Sequence, residues 1–126
     1  MQNKVEFNSF RQEYLTIVVP NPKNHDKMID VRLNKPTEKV KILITSSTIM
    51  QLELIRKTQE GTITNEESLE YIQLVEDLVE AILNNNRDGI KFDKSYRDTF
   101  FGDLENISTL IEAMTEFMNK VFKRKN

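Results

Sequence analysis

The stretch that most restricts the fold is residues 64–83, TNEESLEYIQLVEDLVEAIL. Leu69, Ile72, Val75, Leu78, Val79, Ile82 and Leu83 recur at spacings of three and four, so a helix places all of them on one face. Thr64 and Glu67 have the spacing of a capping box, each side chain reaching the other's backbone amide. Glu66, Glu67 and Glu70 put negative charge at the positive end of the helix dipole. Asn84, Asn85, Asn86 and Gly89 supply the stop. A helix this apolar along one face needs the rest of the chain to cover it.

Upstream, the period is two rather than 3.6. Residues 4–7 alternate, residues 14–19 (YLTIVV) are β-branched and aromatic, and residues 28–33 (MIDVRL) alternate again. Residues 20–27, PNPKNHDK, are turn and loop chemistry. Residues 40–44, VKILI, put Val40, Ile42 and Ile44 on one side of a further strand. The hydroxyl cluster Thr45-Ser46-Ser47 marks the change to helix, which ends near Glu60 with Gly61 at its C-terminal cap. After the central helix comes a loop at 84–92. Asp93 then caps a short helix ended by Gly102, and Asp103 caps a last helix. The expected fold is α+β: a small N-terminal antiparallel β-hairpin or meander packed against a mostly helical C-terminal bundle. Residues 1–126 form a single domain, β-rich over 1–45 and helical over 46–126.

Function classes narrow by what the chain lacks. There is no cysteine, which removes disulfides, thiolate zinc sites and thiol nucleophiles. No apolar run approaches the ~20 residues of a membrane span, and MQNKVEFNSF has no apolar signal region, so a cytoplasmic protein is expected. The net charge of −2 argues against a nucleic-acid binder. It is unevenly placed: residues 1–45 hold eight Lys/Arg and five Asp/Glu, residues 46–126 ten and fifteen. The helical part is therefore acidic apart from a basic tip at Lys120, Lys123, Arg124 and Lys125.

The sites that invite chemistry fail on their partners. Asn84-x-Asn86-x-Asp88-Gly89 begins like a calcium loop, but Asn84 stands where the first carboxylate belongs and Ser95 where a bidentate glutamate is needed. His25 is the single histidine, in a loop without a second ligand or a triad. Glu76, Asp77 and Glu80 fall on the polar face of the central helix, where carboxylates are expected to be solvated. The three glycines form no phosphate loop. No enzyme activity, metal or cofactor is expected.

The last helix is different in kind. Leu104, Ile107, Leu110, Ile111, Met114, Phe117, Met118, Val121 and Phe122 make an apolar stripe that runs almost to the chain end. Phe117, Met118, Val121 and Phe122, with Phe100 and Phe101 beside them and Lys120, Lys123 and Arg124 as a basic rim, are the candidate partner-binding residues. The alternative is that the same residues pack under the β-unit of their own chain.

The order of parts, and above all LVEDLVEAILNNNRDGIKFDKSYRDTFFGDLENISTLIEAM, resembles the tail assembly chaperones of long-tailed bacteriophages and prophages of Gram-positive bacteria. The likeness runs through the first helix, the acidic helix, Phe92 followed by Asp93, and a closing amphipathic helix. The sequence departs from the family in its longer NNNRDG turn, and in Phe101-Gly102-Asp103 where an Asp-Gly pair is common. The resemblance implies a non-enzymatic protein that coats the helical tape measure protein during tail assembly, self-associates, and corresponds to the short form of a frameshifted pair. Two other readings stay open: a different phage adaptor for tail completion or head–tail joining, and a small DNA-binding regulator.

Overall fold

The structure, a computed structural model, describes residues 13–124, with side chains described to residue 121. Two strands, β1 (Tyr14–Asn21) and β2 (Asn24–Asn34), precede four helices, α1 (Glu38–Glu60), α2 (Asn65–Leu83), α3 (Lys94–Phe100) and α4 (Leu104–Arg124). This is the expected α+β arrangement. The expected strand over 4–7 lies outside the described residues.

The strands form an antiparallel hairpin in which Ile17 faces Val31, Leu15 faces Leu33 and Val19 faces Ile29. Alternation puts these pairs on one side, and Val19, Val31 and Leu33 are buried against the helices. The loop expected at 20–27 is shorter than that. Both strands continue into it, and the reversal falls at Pro22-Lys23, where the Asn21 side-chain oxygen accepts from the Lys23 amide at 2.9 Å.

The expected strand at 40–44 is instead the first turns of α1, and the β-rich part ends at Asn34 rather than at 45. Val40, Ile42 and Ile44 alternate, but Val40 and Ile44 are also four apart, which is one helix face. Both are buried, while Ile42 points the other way and is 62% exposed. Pro36 ends the extended run, and Thr37 caps the helix by accepting from the Val40 amide at 3.2 Å. The hydroxyl cluster is not a cap. Ser47 and Thr48 both donate back to the Ile44 carbonyl, at 2.8 and 3.0 Å, inside a helix already under way.

The later boundaries follow the sequence. Gly61 ends α1 in the left-handed region at φ 71°, a conformation that costs a side chain energy. Both halves of the Thr64–Glu67 capping box form, and Lys57 pairs with Glu67 across the α1–α2 turn. Asp93 accepts from the Tyr96 amide at 2.8 Å, and Asp103 from the Asn106 amide at 2.8 Å. Gly102 is needed for space: a Cβ there would meet the Asp98 carbonyl oxygen at 2.3 Å.

One core joins hairpin and helices. Leu33, Val40, Leu78, Ile82, Leu83, Phe92 and Met114 are all buried in it, with Phe92 at 1% exposure. The asparagine loop fastens the two halves. Asn85 accepts from the Asn34 amide at 2.9 Å through its carbonyl, and Arg87 donates to the Arg32 carbonyl at 3.0 Å. Asp88 accepts from the Arg32 amide at 2.7 Å and from its Nε at 3.0 Å.

The distal half of the α1–α2 hairpin projects beyond this core, with Tyr71 at its root packed against it. No residue from 48 to 74 is buried. The thirteen residues of α1 beyond Ser47 extend about 20 Å at the rise of an α-helix. This arm exposes Ile49, Leu52, Ile55 and Leu69.

Candidate functional site

A groove of about 720 Å³ lies between α2 and α4, lined also by α3 and by Thr48 and Gln51 of α1. Its form follows from two stripes that are wider than the core. On α2, Val75 and Val79 are buried, and Ile72, one turn earlier, is 50% exposed at the lip. On α4, Leu110 and Met114 point into the core, while Leu104, Ile107 and Ile111 lie along the margin of the stripe and face the groove. Leu104 is 67% exposed on the lip opposite Ile72.

The rim is charged and mostly negative. Lys94 pairs with Asp98 at 2.9 Å, a hydrogen bond that holds its ammonium above the ordinary lysine value. Arg97 donates to Glu80 at 3.1 Å and to the Phe92 carbonyl at 2.6 Å. The two cations of the groove are thus answered within α2, α3 and the loop before it. Glu76 on the α2 wall and Glu112 on the α4 wall are exposed and carry no ion pair among the described residues. Asp77 accepts only from Gln73, at 3.0 Å.

A smaller groove of about 340 Å³ lies between β1 and the α3–α4 corner, lined by Val18, Met28, Phe100, Phe101, Leu110 and Ala113. The Phe100 ring leans on Tyr96 and meets His25 edge-on at 4.9 Å. The Tyr96 hydroxyl donates to the Pro20 carbonyl, and burial pushes its pKa up to about 12. His25 is exposed, as expected, but stands near the start of β2 rather than in a loop, with its ring edge-on to Tyr96 and Phe100.

The residues expected to bind a partner are only partly brought together. Phe101 lines both grooves. Phe117 and Met118 are half-buried against the core and Val121 is buried, so the last described side chains of the α4 stripe are covered. Lys120 is exposed in the last turns of α4. Phe122, Lys123 and Arg124 lie in its final turn, beyond the described side chains. The surplus of the stripe is at its beginning, at Leu104, Ile107 and Ile111. Ile72 and Leu69 were expected to be covered but are exposed, Leu69 at 64%. The signal available in the sequence was stripe length: α2 and α4 carry more apolar turns than a core of this size can cover.

The oxygens of the calcium-like loop serve the fold. Asn84 accepts from the Phe92 amide at 2.8 Å, and Asn86 accepts from the Ile90 amide at 3.0 Å and donates to the Leu83 carbonyl at 2.9 Å. Among the described residues no three His, Cys, Asp or Glu side chains converge as metal ligands. No helix among them is long and apolar enough to cross a membrane. No protein-family model, curated protein or solved structure matches the chain.

Proposed function

We propose that this chain is a non-enzymatic assembly chaperone that holds helical segments of a phage tape measure protein in the α2–α4 groove until the tail tube forms around them. The observation that carries the reading is the groove itself: an open channel between two helices, floored by Val75, Val79, Ile107 and Ile111 and lipped by exposed Ile72 and Leu104. An amphipathic helix laid in such a channel buries its apolar face as a further member of the bundle. The resemblance of residues 69–117 to tail assembly chaperones names the helix donor. The exposed arm residues Ile49, Leu52 and Ile55 give copies bound side by side along one long helix a surface on which to meet.

The test is capture of the tape measure protein by the tagged chain, wild type against Ile72→Ser/Leu104→Ser. Both residues are exposed, so circular dichroism of the variant is expected to match wild type. Capture by wild type and its loss in the folded variant support the reading; no capture by wild type removes it.

A further inference from the structure

We infer that the groove selects by charge, and that its occupant is an amphipathic helix with lysine or arginine on both flanks of its apolar stripe. The inference rests on the helix-binding reading and adds the chemistry of the partner. Both walls contribute: Glu76 projects from α2 one turn beyond Ile72, and Glu112 from α4 beside Ile111. The cations of the groove are each already ion-paired inside the chain, Lys94 with Asp98 and Arg97 with Glu80, so an acidic helix would have to compete for them. Glu80 is taken up by Arg97, but Glu76 and Glu112 are exposed and have no ion pair among the described residues. A helix seated on the apolar floor has one flank toward each wall, and basic flanks meet opposite charge on both sides. A second copy docked groove to groove would set the same carboxylates against each other, which opposes a face-to-face dimer.

The probe is a pair of fluorescent helical peptides of about six turns, with the same leucine stripe and either lysine or glutamate on both flanks. Binding to the full chain is read by anisotropy. The lysine-flanked peptide is expected to bind about tenfold tighter or more, and Glu76→Lys/Glu112→Lys to reverse the order. Added salt is expected to narrow the gap, because the screening length falls from ~10 Å at 0.1 M to ~3 Å at 1 M. Equal affinity for the two peptides, a preference that survives the charge reversal, or binding of neither peptide overturns the inference. In the last case, sedimentation of wild type as an oligomer that the charge-reversed variant alters identifies a second copy as the occupant. The inference and the reading beneath it fail separately. Tape measure capture that is unchanged by the charge reversal ends the inference alone, and peptide discrimination without tape measure capture ends the chaperone reading alone.

Discussion

Leu78 shows how much a single side chain holds in this chain. It is fully buried on the α2 face that meets hairpin, α1 and α4, and six positions before it Ile72 stands half in water. Periodicity places both on one stripe, but only packing distinguishes them. Leu78→Ala is expected to cost about 2–5 kcal/mol, the range for large-to-small changes in a packed core. Ile72→Ala is expected to fall within about 0.5 kcal/mol, as for surface positions. Urea titration of the two variants checks the contrast, and equal losses would place Ile72 in the core. The sequence had marked both as core because a stripe reports the helix, not the length of the body covering it. The same limit explains Val121, a candidate for partner binding with own-chain packing as the alternative, which is buried.

At the scale of elements, the caps were legible and one helix start was not. Thr64, Asp93 and Asp103 each carry the side chain that satisfies an orphan amide, and each helix begins where they stand. Residues 40–44 misled because Val40, Ile42 and Ile44 satisfy a two-residue period and a helical one together over so short a run. The decisive signal was Pro36-Thr37-Glu38, a break, a cap and a first-turn carboxylate. The asparagine loop was read as a turn, but its junction with β2 depends on contacts more than fifty residues apart. Asp88 is the charged part of that clamp. Its side-chain and backbone hydrogen bonds to Arg32 hold its carboxyl below the ordinary 3.8. A lowered folded-state pKa means that its contribution is present in full above 3.8 and is lost as pH falls through the native value. Asp88→Asn is therefore expected to be less stable than wild type at neutral pH, by a margin that closes on acidification below 3.8. Paired urea titrations across that range check it, and a margin independent of pH would show that the ionic contact contributes nothing.

For the molecule as a whole, the hairpin and four helices bury one modest core and, among the described residues, leave apolar surface over in the α2–α4 groove, in the smaller groove beside β1, and along the arm of α1 and α2. The α+β class and the surplus of apolar surface on the last helix were readable from period and stripe length. Where that surplus would lie was not, because it depends on which turns of α4 the hairpin and α2 reach first. Leu110 and Met114 enter the core with hairpin and α2, while Ile107 and Ile111 are only partly covered and Leu104 is exposed along the groove. The most direct measurement is amide hydrogen exchange of the full chain alone and with a saturating helical fragment of the tape measure protein. Helix docking in the groove predicts slowed exchange at residues 72–80 and 104–112, the two walls, with the hairpin unchanged. Slowing confined to residues 117–124, or no slowing anywhere, would contradict it.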